Sequence, residues 1–412
     1  MSILIRNASE VVTPVIGKKA NTPGESRELL VQKNCSILVE DGKIEETDAG
    51  NITGEITQVI DASGCTVLPG FIDPHTHMIF GGSRTDEFYS RIAGMTYSKI
   101  LQQGGGITRT ARETQMADRN GLFSQAMNRV WDSISHGATT IEIKTGYSHE
   151  LSGELKMLDV MDMIEASGII NVVKTFLGLH FTPPGTDALA FTDRVISEFL
   201  PRLSGRAQFA DVFCDVGAFS TVDSYRFLDA ARKFGFKPKA HVDEIGNIGA
   251  IQALNGIGLA SADHILKSSV DQLQLLSRSG GIGVVLPITS YLLDPGNMPN
   301  IKKFEEASLP VAIGTDTSPA TYCPDMLFAI YLSVRFCGFS IEQAINSATI
   351  NAAWALSEDR KGAVEKGYDA DLIILDTPSY RDIPYKFGTE IVRDVISSGR
   401  LVRKNRVNIL QA

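Results

Sequence analysis

Eight short apolar runs, separated by segments with helical periodicity, fill the middle of the chain and constrain its fold more than any other feature. Strands that alternate with helices in this way pair in parallel, because each helix carries the chain back to the start of the next strand. Eight such units in roughly 290 residues fit a (β/α)8 barrel, the TIM-like α/β fold. The alternative is a doubly wound sheet, although no Gly-x-Gly-x-x-Gly follows the first run to support a dinucleotide site. The runs are Val67–Ile72, Thr139–Ile143, Val172–Leu177, Asp211–Phe213, Lys237–Ala240, Leu259–Ala262, Ile282–Leu286 and Val311–Gly314.

The two ends of the chain differ from the middle, since both read as short β-strands joined by turns. Residues 1–65 include an apolar segment that turns at Asp41-Gly42, a dipeptide typical of a tight hairpin. Residues 363–412 contain two further strand-like runs, with a turn at Gly399-Arg400. We therefore predict a small β-sandwich built from both termini, with residues 66–362 forming the barrel.

Composition and charge argue against several classes of function. The chain has 412 residues and a formal net charge of −9, which argues against general nucleic-acid binding. No apolar run reaches the length of a membrane span, and the first residues lack the apolar core of a secretory signal, so we expect a cytoplasmic protein. The five cysteines are scattered and show no Cys-x-x-Cys spacing, which indicates free thiols in a reducing compartment.

Two histidines, His75 and His77, follow the first apolar run with one residue between them. Residues i and i+2 of a strand point to the same side, so both imidazoles can face one metal ion. Pro74 cannot donate to a sheet ladder, which places it at the carboxyl end of the strand rather than in its middle. Taken alone, a His-x-His pair is more often a surface or core feature than a metal site.

Polar residues stand at the carboxyl end of nearly every predicted strand, which is the face where barrel active sites lie. They include imidazoles and a carboxylate in a combination suited to Zn²⁺ or Fe²⁺. Taken alone, His241 could equally be a core histidine and Asp316 a helix cap. The candidate metal ligands are His75, His77, His241 and Asp316.

A metal at this position would lower the pKa of water and polarise a carbonyl, and hydrolysis would then need a proton shuttle. Glu244, three residues after His241, is the candidate general acid or base, with a solvent-facing loop carboxylate as the simpler reading. His264 could orient water or stabilise charge, or form a structural hydrogen bond. Lys144 could be carbamylated and bridge two metals, or be a plain cation, and we favour a single metal ion.

The chain resembles the amidohydrolase superfamily over nearly its whole length. The resemblance implies a metal-dependent barrel flanked by a small β-sandwich from both termini, in agreement with the strand pattern. The residues that carry it are Pro69-Gly70-Phe71-Ile72-Asp73-Pro74-His75-Thr76-His77, Asp316 and Lys366-Gly367-Tyr368-Asp369-Ala370-Asp371-Leu372.

Within that superfamily the chain is most similar to the imidazolonepropionase family. The segments that carry this narrower resemblance are His77-Met78-Ile79-Phe80-Gly81-Gly82-Ser83-Arg84-Thr85-Asp86-Glu87-Phe88, Gln103-Gly104-Gly105-Gly106-Ile107, Lys144-Thr145-Gly146-Tyr147, Leu177-Gly178-Leu179-His180 and His241-Val242-Asp243-Glu244. The resemblance implies one zinc or iron ion and hydrolysis of the ring amide of 4-imidazolone-5-propanoate to N-formimino-L-glutamate, in histidine degradation.

The resemblance also assigns roles to residues. It implies that Glu244, His264 and Asp316 act in catalysis. Arg84 suits the propanoate tail, because a guanidinium binds a carboxylate bidentately, although a surface ion pair with Asp86 or Glu87 is the plain alternative. The residues implied to contact the substrate are Arg84, Tyr97, Tyr147, His180, Glu244, Ser318, Ala320 and Thr321.

The loop after Asp316 departs from the family, which usually has Asn-Pro-Gly-Ser where this chain has Ser318-Pro319-Ala320-Thr321. Alanine disfavours any conformation with positive φ that a glycine would adopt there. The departure leaves open a different substrate, still a small cyclic amide with an acidic tail. A deaminase of a cyclic amidine or aminoazole, which would share the metal set and Glu244, is kept as an alternative activity, and a catalytically silent barrel as a second. The expected partner is a small molecule rather than nucleic acid or membrane, and a homodimer is the assembly that the resemblance allows.

Overall fold

The computed structural model describes residues 2–47 and 56–409, in which seventeen strands form two sheets. They are β1 (Ser2–Pro14), β2 (Leu29–Glu40), β3 (Lys43–Thr47), β4 (Gln58–Asp61), β5 (Thr66–Pro69), β6 (Phe71–Asp73), β7 (Ala138–Lys144), β8 (Asn171–Leu179), β9 (Phe209–Cys214), β10 (Lys237–Val242), β11 (Ser261–His264), β12 (Ile282–Val285), β13 (Val311–Ile313), β14 (Leu372–Leu375), β15 (Val392–Ser397), β16 (Arg400–Lys404) and β17 (Val407–Asn408).

Sixteen α-helices lie in the described residues, most of them between consecutive strands of the middle region. A 3₁₀ turn at Glu25–Arg27 and a π-helical turn at Val195–Phe199 add to them. The helices are α1 (Thr85–Ile92), α2 (Tyr97–Gln102), α3 (Gly106–Met116), α4 (Arg119–Ser135), α5 (Leu151–Ala166), α6 (Ala188–Arg194), α7 (Leu200–Leu203), α8 (Thr221–Lys233), α9 (Ala250–Ala253), α10 (Val270–Arg278), α11 (Pro287–Leu293), α12 (Ile301–Ala307), α13 (Met326–Phe336), α14 (Ile341–Ala348), α15 (Ile350–Ala355) and α16 (Asp382–Tyr385).

Strands β6 to β13 pair in parallel in chain order and form the predicted barrel, so the predicted fold class is confirmed. Backbone hydrogen bonds complete the ring between the segments that follow its first and last strands. The His77 amide donates to the Thr317 carbonyl at 2.8 Å, and the Asp316 amide donates to the His75 carbonyl at 3.0 Å. The carboxyl ends of all eight strands therefore surround one opening.

The first apolar run does not form one strand, because it is divided at Gly70. Its first half, β5, pairs antiparallel with β14 in the terminal sheet, and its second half, β6, opens the barrel. A Cβ atom at Gly70 would lie 2.2 Å from the Thr139 side chain, so only glycine allows this close crossing. The run thus joins the two sheets covalently, just before the pair of histidines.

Both ends of the chain contribute to a nine-stranded mixed sheet in the order β17-β16-β15-β14-β5-β1-β2-β3, with β4 also paired to β1. The predicted hairpin forms between β2 and β3, where Asp41 and Gly42 adopt φ values of 47° and 80°. Alternate residues such as Ile3, Ile37 and Ile374 pack into one buried core, as the period of two in a strand requires.

The larger core lies around the barrel, where α4 and α5 pack on the outside of the strands. Val130 and Ile134 on one helix and Met161 and Ile164 on the next are fully buried there. All five cysteines belong to the described residues and are free thiols. No helix in the described part of the chain is both long and apolar enough to cross a membrane.

Candidate functional site

The four candidate metal ligands converge at the carboxyl end of the barrel. His75 and His77 follow β6, His241 lies in β10, and Asp316 follows β13. The Nε2 atoms of His75 and His77 lie 3.6 and 3.5 Å from Asp316 Oδ1. The rings of His75 and His241 are 4.4 Å apart between centroids. His75 thus forms one compact group with His77 and Asp316 and another with His241 and His264, so the candidate ligands lie around His75.

Unpartnered ring nitrogens show that this cluster suits a metal ion. The buried atoms His75 Nε2, His77 Nδ1 and His241 Nε2 have no hydrogen-bond partner in the described residues. The opposite nitrogens of two of these rings are held, because His75 Nδ1 lies 2.7 Å from Asp263 and His241 Nδ1 lies 3.1 Å from Asp211. A proton on Nδ1 leaves the Nε2 lone pair directed inward, as in metal-binding histidines. The residues present thus fit a divalent metal ion.

Lys144 lies beneath the ligands and is paired with three carboxylates. Its Nζ is 2.7 Å from Asp211, 3.0 Å from Glu142 and 3.3 Å from Asp263, and all four side chains are fully buried. Burial alone would lower the pKa of Lys144, but the three carboxylates outweigh it and raise this pKa above its usual value. Carbamylation requires a neutral amine, so the geometry favours the plain cation over the bridging carbamate.

Glu244 and His264 lie beside the ligand cluster, with Glu244 Oε2 3.6 Å from His264 Nε2. Burial and the nearby charge of Asp215 raise the pKa of Glu244 to about 7. Its side chain is still 25% exposed, so the carboxyl group reaches the opening of the barrel. Burial lowers the pKa of His264, which keeps that ring neutral near pH 7.

Asp215, directly after β9, holds the loop that carries Glu244. Its carboxylate accepts backbone N–H groups from Glu244, Ile245 and Gly246 at 2.7, 3.0 and 2.9 Å. Three charge-assisted hydrogen bonds from consecutive residues fix the course of that loop. Asp215 therefore fixes the backbone from which the Glu244 side chain extends.

Of the residues expected to contact substrate, Tyr147 and His180 lie against the ligand histidines. The His180 ring stacks on His77 with 5.2 Å between centroids, and the Tyr147 ring is 5.4 Å from that of His180. His180 Nδ1 is 3.1 Å from the Gly146 carbonyl, and burial lowers the pKa of His180 to about 4. A neutral imidazole and a phenol thus line one side of the opening.

Arg84 forms the ion pair that was the alternative reading, but the pair is buried rather than at the surface. Its Nε donates to Glu87 Oε2 at 2.7 Å, and the two side chains are 8% and 7% exposed. Glu87 also accepts the Gly106 amide at 2.9 Å. Asp86 pairs instead with Arg109. The side chain of Tyr97, at the start of α2, lies outside the described residues.

The divergent loop after Asp316 is held by its own hydroxyl groups. Ser318 Oγ and Thr321 Oγ1 are 2.8 Å apart, and Thr321 Oγ1 donates to the Asp316 carbonyl at 2.5 Å. Ala320 is not among the residues with positive φ, so alanine causes no backbone strain in this loop. Asp316 does not cap a helix, because Asp325 occupies that position at the start of α13.

Sequence reasoning missed the charged residues that hold the histidines from below. Glu142, Asp211, Lys239 and Asp263 lie within strands, among apolar neighbours, and are fully buried. The period of two offered a signal, since Glu142 precedes Lys144 by two residues and Lys239 precedes His241 by two. Such pairs on inward-facing positions of a barrel strand indicate a charged layer inside the barrel.

Comparisons with known proteins agree with this geometry. Two models described as Amidohydrolase family match residues 58–121 and 220–402. A protein named imidazolonepropionase from Thermoplasma volcanium is 38% identical over 408 residues, covering 97% of each chain. Another of that name from Symbiobacterium thermophilum is 36% identical and covers 98% of this chain and 97% of its own.

Solved structures of similar fold extend over the whole chain. A triazine hydrolase variant superposes with a TM-score of 0.80 at 17% identity, covering 100% of this chain and 96% of its own. An adenosine deaminase from Xanthomonas campestris with bound zinc gives 0.76 at 16% identity, covering 100% and 94%. At these identities the likeness concerns the fold alone. The full-length relatives above 30% identity decide the family, and the chain belongs to the imidazolonepropionase family of amidohydrolases.

Proposed function

We propose that the protein hydrolyses the ring amide bond of 4-imidazolone-5-propanoate and releases N-formimino-L-glutamate, a step of histidine degradation. The observation that carries this proposal is the convergence of His75, His77 and His241 near Asp316, where the buried His75 Nε2 and His241 Nε2 have no hydrogen-bond partner in the described residues and His77 Nε2 faces Asp316. It lies in a chain that matches relatives named imidazolonepropionase from end to end. Hydrolysis adds water across the C–N bond, with the oxygen on the carbonyl carbon and a proton on the ring nitrogen that leaves.

We propose that His75, His77, His241 and Asp316 hold one zinc or iron ion. Burial raises the pKa of Asp316 to about 7, and a cation beside it would favour the ionised carboxylate. The ion, when bound, lowers the pKa of water and polarises the scissile carbonyl. A second ion is not proposed, because Lys144 already supplies a positive charge among the nearby carboxylates.

Glu244 is proposed to move the proton. A carboxyl group with a pKa of about 7 is well matched to a reaction near neutral pH, since both protonation states are accessible. It would take a proton from the attacking water and deliver it to the ring nitrogen as the bond breaks. His264, neutral and next to it, would orient the water or donate to the developing negative charge.

The remaining residues are proposed to bind the substrate. Arg84 would receive the propanoate carboxylate, with Glu87 holding the guanidinium in place. Tyr147 and His180 would hydrogen-bond polar atoms of the ring or its tail. Ser318 and Thr321, linked through their hydroxyl groups, would border the ligand together with Ala320. Tyr97 stays a candidate by resemblance alone.

The test is an ultraviolet assay that follows loss of 4-imidazolone-5-propanoate, with hydantoin propanoate and aminoazoles tried in parallel. We expect the wild-type protein to turn over the imidazolone. We expect Glu244→Gln to retain the metal but to lose most of this activity. Faster turnover of an aminoazole would assign the deaminase activity instead. A near-normal rate in Glu244→Gln would remove this residue from the mechanism.

Metal content and assembly complete the proposal. Elemental analysis of protein purified without added metal distinguishes zinc from iron, and one ion per chain is expected. The proposed setting is the cytoplasm. The proposed assembly is a homodimer, which sedimentation analysis tests.

A further inference from the structure

Five buried charged side chains form a closed layer beneath the candidate metal ligands. They come from four of the eight barrel strands, β7, β9, β10 and β11, and every side chain is 0% exposed. Three carboxylates and two ammonium groups give the layer a net charge of −1. Its members are Glu142, Lys144, Asp211, Lys239 and Asp263.

Within this layer the Lys144 ammonium group contacts both carboxylates that hold ligand histidines. Asp211 accepts from Lys144 at 2.7 Å and lies 3.1 Å from His241 Nδ1. Asp263 lies 3.3 Å from the same Nζ and 2.7 Å from His75 Nδ1. Each carboxylate is therefore a hydrogen-bonded link between Lys144 and one imidazole ring.

We propose that Lys144 is a positioning residue for the metal site, acting through Asp211 and Asp263. Its ammonium group holds both carboxylates in place, and they in turn fix His241 and His75 with the proton on Nδ1 and the lone pair of Nε2 directed inward. Without it, three buried carboxylates would face one another with only Lys239 as counter-charge, and like charges repel strongly where water is absent.

Lys239 does not replace this role, because it holds a different part of the layer. Its Nζ contacts Glu142 at 2.8 Å and the Pro74 carbonyl at 3.1 Å, and it stays 3.8 Å from Asp263. The hydrogen-bonded link to His241, on β10, therefore depends on Lys144. This inference rests on the proposed metal site but not on the proposed substrate, so a wrong substrate would leave it untouched.

The experiment measures chelator-driven release of metal from the purified holoenzyme, together with the visible spectrum of the cobalt-loaded enzyme. Lys144→Met should speed metal release or weaken affinity on the order of 10- to 100-fold, as loss of groups that orient metal ligands does. It should also shift the cobalt bands, since the ligand rings would change orientation. Wild-type release with an unchanged spectrum would overturn the proposal.

Lys174→Met is the matched control, since Lys174 on the neighbouring strand β8 also pairs with two carboxylates, Asp162 and Glu165. This variant is expected to lose stability but to release metal at the wild-type rate. Equal acceleration in both lysine variants would mean that Lys144 acts only through general stability, and would overturn the proposal.

Asp211→Asn keeps the test decisive if Lys144→Met does not fold, and a double variant extends the test where Lys144→Met does fold. Asp211→Asn, with Lys144 intact, should also release metal faster, because an amide is held less firmly by the ammonium group. The double variant Lys144→Met/Asp211→Asn should lose no more affinity than the worse of the two single variants. Additive losses, or wild-type release from Asp211→Asn, would show that Lys144 does not act through this carboxylate.

Discussion

Glu154 on α5 is a carboxyl group that the barrel holds in its neutral form. The residue is 1% exposed, and its Oε1 accepts the Ser148 amide at 3.1 Å. Its Oε2 has no hydrogen-bond partner in the described residues. Burial raises the pKa of Glu154 to about 8, although polar groups of Thr145, Gly146 and Ser148 oppose the shift. Glu154 therefore supports the Tyr147 loop as a protonated acid at pH 7.

The raised pKa makes the stability of the protein depend on pH. The unfolded chain ionises Glu154 near its ordinary value of about 4.5, whereas the folded protein keeps the proton until about pH 8. Between these values the folded state binds one more proton, so the free energy of unfolding falls as the pH rises, by about 1.4 kcal/mol per unit. From pH 5.5 to 7.5 the loss due to this residue should reach about 2–3 kcal/mol.

Glu154→Gln removes the ionisation and keeps an oxygen at the position that accepts the Ser148 amide. The assay is urea unfolding followed by circular dichroism at pH 5.5, 6.5 and 7.5. The stability difference between wild type and variant should change by about 2–3 kcal/mol across this range in favour of the variant. Any cost of burying the new NH₂ group is constant with pH and does not alter the slope.

Glu150→Gln is the control, because Glu150 lies on the same loop but is exposed and paired with Arg194. Its difference from wild type should be flat over the range. A flat difference for Glu154→Gln as well would refute the reasoning, since it would mean that the buried carboxyl group is ionised in the folded protein.

Three further outcomes concern the site. Arg84→Ala should raise KM for carboxylate-bearing substrates roughly 10- to 100-fold, since charge-assisted hydrogen bonds contribute about 1.5–3 kcal/mol. An equal loss on a tail-less analogue would show that Arg84 does not bind the substrate carboxylate. Arg109→Ala is the control. Asp215→Asn should lower kcat roughly 10- to 100-fold with metal retained, because the Glu244 loop loses a charged acceptor; an unchanged kcat would detach the loop from catalysis. Removal of metal by a chelator should abolish turnover and lower the thermal midpoint seen by calorimetry, whereas an unaltered midpoint would show that the ion adds nothing to stability.

The barrel could be predicted from the sequence because its signal is local and repeated. Each strand is an apolar run, and nearly every run ends in a polar residue at the same face, so the candidate ligands His75, His77, His241 and Asp316 follow from chemistry at strand ends. The division of the first run at Gly70 could not be predicted, since it depends on the approach of Thr139 from a distant part of the chain.

The partners of the site residues were beyond prediction for the same reason. Arg84 and Glu87 are three residues apart and could be paired on sequence alone, but neither the burial of that pair nor the hydrogen bond from the Gly106 amide to Glu87 follows from a local pattern. Asp215 reaches Glu244 across 29 residues of chain, and no local pattern separates a carboxylate that binds metal from one that accepts three amides.

The direction in which some site side chains point depends on strained backbone at the strand ends. His264 and Asp316 have φ values of 71° and 52°, a left-handed conformation that costs a residue other than glycine on the order of 1–3 kcal/mol. The period of two along a strand therefore does not give their direction. At Asp316 the strain persists because the amide donates to His75 and His77 donates to Thr317. These same bonds close the barrel. The segments that carry three of the four candidate ligands are therefore also the segments through which the first and last strands are joined. A change that loosens the closure of the barrel must disturb the ligand cluster, and a cation held between those side chains must tighten the closure in return.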